Sequence, residues 1–392
     1  MHPSDYRRAV SRPIIVRLPN WVGDVVMALP ALERLERAGL TPWLVGRRWA
    51  TSLLAGQGWT VSVLAPQSRS RIKQLRQWRE AARAIDDRFD RRLNALLLPN
   101  SLSSGWEAWR AGLKALGYRR DGRGLLLAAA IPVPRTPLHE SDRFCALASA
   151  LVDRIGAKMP SRMAGSGSRA AGEQRAREGE SDAPDGRPVS GGRSASTPHW
   201  PMLAVAKADA ARADALLGER LSVRRFACIV PFATGTLAGQ RKAWPQFPAF
   251  ARRLAQSLPV IVVPGPGETA TAAMDYQDAV RLEGIDLGTY AAILARAAVV
   301  IANDTGPAHV AAAVGAPLVS VLGPTDAGRH RPLGPRVSVV QADPWPTIAA
   351  VEAAVVAQLM VTAIDEPVAA HPTDTGAAST PQAGQLGQTG PT

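Results

Sequence analysis

Three segments of this 392-residue chain carry side chains that can move protons or hold anions, each beside a glycine and just after a short apolar run. The first is Pro19-Asn20-Trp21-Val22-Gly23-Asp24. A carboxylate at a strand end facing a cleft can take a proton from an attacking hydroxyl. At the start of a helix, where the dipole favours its ionised form, the same Asp can equally be a simple cap. The second is Asn303-Asp304-Thr305-Gly306-Pro307-Ala308-His309. A hydroxyl and free N–H groups at a helix N-terminus suit a diphosphate. Pro307 fits the first helical turn, where a missing N–H costs nothing, and His309 falls one turn further on. The plain alternative is a capped helix with a satisfied histidine. The third runs from Thr234-Gly235-Thr236 to Lys242 and sets a cation beside a hydroxyl-rich loop. That pairing suits stabilisation of a departing nucleotide diphosphate, although a solvated loop cation would read the same. Glu268, in Pro264-Gly265-Pro266-Gly267-Glu268, follows another apolar run and is placed to bind ribose hydroxyls.

The elements that must position these residues are short Val/Ile/Leu runs alternating with helical patterns. In the first block the pattern predicts strands at Ile14–Leu18, Pro42–Val45, Val61–Leu64 and Ala95–Leu98, with helices at Val25–Ala38 and Ile72–Ile85. In the second it predicts strands at Phe226–Val230, Val260–Val263, Val299–Ala302 and Leu318–Leu322, with helices at Phe247–Gln256, Tyr290–Arg296 and Pro307–Val314. Continuous apolar strands alternating with helices imply α/β domains with parallel sheets covered on both faces. Two such domains in tandem place a ligand between them, at the carboxyl ends of the strands. The expected division is an N-terminal domain over 12–161, a linker over 162–200, a C-terminal domain over 201–364 and a tail over 365–392. Linker and tail are rich in Gly, Ser, Ala and Pro, with too few large apolar residues to offset the entropy of ordering.

Composition narrows the function. Residues 1–161 hold 26 Lys+Arg against 13 Asp+Glu, residues 162–200 hold 6 against 5, and residues 201–392 hold 14 against 15. The whole excess of +13 therefore lies in the N-terminal part, pointing to an anionic partner or to plain solubility. Cys145 and Cys228 form no CxxC pair and the six histidines show no ligand spacing, so neither a disulfide scaffold nor a metal site is expected. No GxGxxG follows the first strand of either block and no GxxxxGK[ST] occurs, which weakens dehydrogenase and P-loop readings. The N-terminus lacks an uninterrupted apolar region and no apolar run reaches about 18 residues, so a cytoplasmic protein is expected, at most peripheral on a membrane.

Together the segments Arg17-Leu18-Pro19-Asn20-Trp21-Val22-Gly23-Asp24, Lys242-Ala243-Trp244-Pro245 and Asn303 through Ala313 resemble the lipopolysaccharide heptosyltransferases of glycosyltransferase family 9. Leu98-Pro99-Asn100-Ser101, continuing through Gly117-Tyr118-Arg119, is similar to the heptosyltransferase II branch. The resemblance implies a GT-B fold of two Rossmann-like domains facing across a cleft. It also implies inverting transfer of heptose from ADP-heptose to the inner core of lipopolysaccharide, without a metal. Asp24 would be the general base and Lys242 would stabilise the leaving group. Thr234 or Thr236, Glu268, Asp304, Thr305, Gly306 and His309 would bind the nucleotide. Asn20, Trp21, Gly23, Asn100, Ser101, Arg119 and Arg120 would lie on the acceptor side. The partners expected are the nucleotide sugar, an anionic lipid-linked core oligosaccharide and the inner membrane surface, with no nucleic acid. The helix at Ile72–Ile85, with Lys73, Arg76, Arg79 and Arg83, is the segment expected to meet that polyanion. A family 9 enzyme using another nucleotide sugar or acceptor, and a non-catalytic anion-binding protein, are the competing readings.

Overall fold

The computed structural model describes residues 12–156, 200–221, 225–233, 236–237 and 240–365. The expected linker and tail fall outside these residues except for Trp200 and Asp365. The first sheet contains β1 (Pro13–Arg17), β2 (Thr41–Gly46), β3 (Val61–Val63), β4 (Ala95–Leu97), β5 (Ala115–Arg119) and β6 (Ala129–Pro132), in the order β3-β2-β1-β4-β5-β6. The second part opens with β7 (Ala227–Val230), followed by a small antiparallel pair, β8 (Thr236–Leu237) and β9 (Gln240–Arg241). It continues with β10 (Val260–Val262), β11 (Val280–Arg281), β12 (Val299–Asn303), β13 (Leu318–Leu322) and β14 (Val337–Gln341). The order β11-β10-β7-β12-β13-β14 repeats that of the first sheet, and every pairing in both six-stranded sheets is parallel. Each order reverses beside its first strand, between β1 and β4 and between β7 and β12. That is where a crevice opens at the carboxyl ends of a doubly wound sheet. β1, β12 and β13 are buried at every position, as strands covered on both faces must be.

The helices of the first part are α1 (Val22–Met27), α2 (Leu29–Arg37), α3 (Trp49–Leu53), α4 (Ser68–Ile85), α5 (Leu102–Arg110) and α6 (Glu140–Arg154). Those of the second are α7 (Lys207–Leu221), α8 (Phe247–Ala255), α9 (Thr269–Asp275), α10 (Leu287–Arg296), α11 (Gly306–Ala313), α12 (Ala327–His330) and α13 (Ile348–Asp365). The single helix expected over Val25–Ala38 is two. Pro30 has no N–H to donate to the preceding turn, so the chain breaks at Ala28 and restarts with Pro30 in the first turn of α2. β5, β6, α5 and α6 lie in a stretch for which the apolar pattern gave no assignment. β5 is interrupted by Gly117, and β6 is alanine-rich and ends in Pro132.

The basic helix is α4, and its cations are largely committed within the domain. Arg79 forks onto Asp90 at 2.9 and 2.7 Å, Arg83 reaches the same carboxylate at 3.0 Å, and Arg76 donates to the Arg110 carbonyl at 2.9 Å. Asp90 and the end of α5 thus engage three of the four cations on the helix expected to meet a polyanion.

The two parts meet closely. One apolar cluster runs from β1 through α1 and α2 to α10, α11 and β13. Two glycines permit the approach of α1 to α11. A Cβ on Gly23 would stand 2.8 Å from His309 Cδ2, and one on Gly306 would stand 2.7 Å from Val22 Cβ. Across the same seam Arg329 reaches Glu140 at 3.3 Å, and the His139 ring lies 3.0 Å from the Arg331 carbonyl oxygen.

Candidate active site

A cleft of about 1100 Å³ lies between the two sheets, lined from one side by the start of α1 and by α3 and from the other by the loops after β7, β10, β12 and β13. Asp24 comes from the first side. Lys242, Glu268, Asp304, Thr305, Gly306 and His309 come from the second. Seven residues named from three separate sequence segments and one turn thus converge on one space.

Asp24 is the third residue of α1, whose N-cap is Trp21, so it is not the cap. Burial is the main cause that lifts its carboxyl from 3.8 to about 6; the charge of Glu140 adds to this and Lys242 opposes it. The helix dipole favours the ionised form, as the sequence suggests, but burial in the cleft wall opposes it and prevails. A carboxylate with raised affinity for a proton is better matched to accepting one near neutral pH.

On the opposite wall, Asn303 is fully buried at the end of β12. Its Oδ1 accepts from the Trp244 N–H at 3.1 Å and its Nδ2 donates to the Pro231 carbonyl. Trp244 is itself buried against Phe247 and Phe250, with its indole N–H donating to the Pro346 carbonyl at 3.0 Å. This anchor fixes the chain two residues after Lys242. Lys242 Nζ stands 3.6 Å from Asp304 Oδ2, which also accepts from Thr325 Oγ1 at 2.9 Å. Asp304 therefore holds the ammonium at the mouth of α11. Thr305 is the N-cap of α11 without a side-chain capping bond, and its buried Oγ1 has no partner among the described residues. An orphan hydroxyl at a helix N-terminus beside a lysine is a ready anion site. Burial pushes His309 well below the ordinary imidazole value, against the pull of Asp304, so its ring is neutral where it packs on Gly23. Glu268 Oε2 accepts from the Gly265 N–H at 2.7 Å, closing the turn after β10, in which Gly267 has φ +85°.

The remaining sequence-named residues divide. Asn20 and Trp21 line a second cavity of about 790 Å³ that shares Trp21, Val22, Arg48 and Trp49 with the main cleft. Arg17 donates to Asn20 Oδ1 at 2.7 Å, holding that turn. Thr234 lies outside the described residues, and Thr236 is placed only as part of β8. Asn100, Ser101, Arg119 and Arg120 line neither cavity. Ser101 caps α5 by accepting from the Ser104 N–H at 3.3 Å, and Arg120 is 3.6 Å from Asp121. The residue that orders this region is Arg123, fully buried, donating to the carbonyls of Tyr118, Pro99 and Ser101. Sequence reasoning missed it, and it also missed Arg47, Arg48, Trp49, Thr51 and Ser52. The Arg47-Arg48 pair directly after a predicted strand was the available signal. Both are exposed at the cavities and have no ion-pair partner among the described residues. Among the described residues no group of three or more His, Cys, Asp or Glu could hold a metal ion, and no helix is long and apolar enough to cross a membrane.

Twin parallel sheets with repeated strand order, facing across a cleft built from their carboxyl ends, define the GT-B fold. Solved structures of this fold are similar to the chain. The E. coli ADP-heptose lipopolysaccharide heptosyltransferase II is 21% identical over 89% of this chain and 99% of its own, with a TM-score of 0.65. A glycosyl transferase family 9 structure from Veillonella parvula is 15% identical over 85% and 87%, with a TM-score of 0.62. E. coli heptosyltransferase WaaC with ADP is 17% identical over 88% and 99%, with a TM-score of 0.57. Comparison with curated proteins finds no match. Residues 78–358 match glycosyltransferase family 9 (heptosyltransferase), and the chain belongs to that family. Asp24 lies upstream of the matched residues, so its assignment rests on the motif around it and on its place in the cleft.

Proposed function

We propose that the protein transfers heptose from ADP-heptose to the inner core of a lipopolysaccharide acceptor, with inversion and without a metal, in the manner of a heptosyltransferase II. The observation that carries this reading is the placement of Asp24 across one cleft from Lys242, Thr305 and Gly306. The acceptor hydroxyl oxygen attacks the anomeric carbon on the face opposite ADP, and Asp24 takes the hydroxyl proton. The bond from the anomeric carbon to the diphosphate oxygen breaks and its electron pair leaves with ADP. Lys242, the Thr305 hydroxyl and the N-terminus of α11 meet the charge that develops there. Glu268 keeps one oxygen for the ribose while the other holds its own turn. The acceptor enters through the second cavity, where Arg47 and Arg48 face its anionic groups and the exposed Trp21 offers a flat apolar surface to a sugar. The basic N-terminal domain then faces a polyanionic acceptor at the inner surface of the membrane.

The test is a panel of nucleotide sugars offered with truncated lipopolysaccharide, scored by nucleotide release. ADP-heptose is expected to be the preferred donor. Preference for another nucleotide sugar would overturn the heptose assignment, and absence of any transfer would overturn the catalytic one.

A further inference from the structure

We propose that the outer face of α5, with the turn that follows β5, is the surface on which the protein rests on an anionic lipid bilayer. Leu102, Trp106 and Trp109 are 53%, 45% and 48% exposed. Their spacing of four and then three residues puts them on one helical stripe. The two indoles touch, with ring centroids 5.2 Å apart, and the Arg110 guanidinium lies 5.7 Å from the centre of the Trp106 ring. Leu125, 95% exposed, belongs to the turn at Arg123–Leu126, which packs beside α5 at Gly105. The polarity of the helix is inverted relative to an ordinary surface helix. Its only acid, Glu107, is buried and paired inward with Arg71 at 3.1 Å, whereas its aromatic residues face out. A contiguous apolar patch of this kind marks an interaction surface.

Two observations select a lipid surface as the occupant. Tryptophans flanked by arginine, with leucine beside them, are the composition of an element lying at a membrane interface. Arg110, on the Trp106 ring, and Arg119, beside Gly124 and hence next to Leu125, are exposed cations at the patch, and they belong to the part of the chain that carries the whole +13 excess, complementary to an anionic leaflet. The placement also serves the proposed reaction, and on that reading it rests for its purpose. α5 starts from the carboxyl end of β4, the same sheet edge from which α1 carries Asp24, so docking through α5 holds the acceptor cavity at the surface where a lipid-linked acceptor lies.

Flotation of the full chain with vesicles of phosphatidylcholine, alone or mixed with phosphatidylglycerol, tests this. Binding is expected only to the mixed vesicles. Trp106→Ser with Trp109→Ser should lower the partition about tenfold or more, and Arg110→Gln about fivefold. Met360→Ser, which removes an exposed apolar residue on α13, should leave it unchanged. Unaltered thermal melts show that the variants are folded. Unchanged flotation of the double tryptophan variant, or no binding of the wild type to phosphatidylglycerol, overturns the proposal. So does a dimer, seen by light scattering, that the double variant turns into a monomer, because the face would then be a protein interface. The catalytic reading is tested separately with a delipidated, soluble acceptor, so its failure leaves the vesicle result standing and the reverse also holds.

Discussion

Replacing Asp24 by Asn should abolish turnover and, at alkaline pH, make the protein more stable. The carboxyl is raised from 3.8 to about 6, chiefly by burial. At about 1.4 kcal/mol per pH unit that difference corresponds to about 3 kcal/mol. Water entering the open cleft reduces this, and roughly 1–3 kcal/mol is expected. The sign follows from linkage. A folded-state value above the unfolded one means that stability is fully present below 3.8 and is lost as pH rises through about 6, because the buried charge is disfavoured only in the fold. Asn carries no such charge. Urea unfolding should therefore find the two proteins equal near about pH 4 and Asp24→Asn the more stable near about pH 8. The same ionisation should appear in catalysis: kcat/KM of the wild type rises through about pH 6 and then levels off, as a general base requires. Calorimetric titration should show ADP binding to the variant with little change in affinity. A variant no more stable than wild type near about pH 8 would refute burial as the cause of the shift, and a variant with full turnover would refute the general-base role.

Four further outcomes are expected. Lys242→Ala should lower kcat by roughly 100- to 1000-fold, as loss of a leaving-group stabiliser does, with little effect on the melting temperature because the side chain is 31% exposed. Gly23→Ala forces a Cβ to within 2.8 Å of the His309 ring; calorimetry should show a loss of about 1–3 kcal/mol from overpacking the seam. Trp244→Ala should destabilise the C-terminal domain by about 3–5 kcal/mol in urea unfolding, and should weaken ADP binding because Lys242 loses its anchor. Arg47→Ala should raise the acceptor KM about tenfold in steady-state kinetics, because a charge-assisted contact is lost, with little change in the affinity for ADP.

Much of the site was legible because each motif is local. An apolar run followed by Gly23-Asp24, or by Asp304-Thr305-Gly306, can be read within a dozen residues, and β1 and β12 end where those runs end. Glu268 was placed by the same logic after β10. Contacts that depend on distant partners were not legible. Nothing nearby in sequence announces that the Asp90 turn folds back on α4 and pairs with Arg79 and Arg83. Nor does anything local announce that Ser101 caps α5 or that the buried Arg123 donates to the Pro99 carbonyl in that loop.

The sequence alone determined two parallel α/β units, the strand ends at which chemistry could occur and the family to which those motifs point, because hydrophobic period and glycine placement act over a few residues. Only the tertiary structure decided which of these residues share a space and in what electrostatic state. Asp24 and His309 are remote in the chain, yet the His309 ring packs against Gly23, the residue before Asp24, because two glycines allow α1 and α11 to touch. That contact brings the two walls of the cleft together, and the resulting burial, which no local pattern encodes, raises a helix-start carboxyl from 3.8 to about 6.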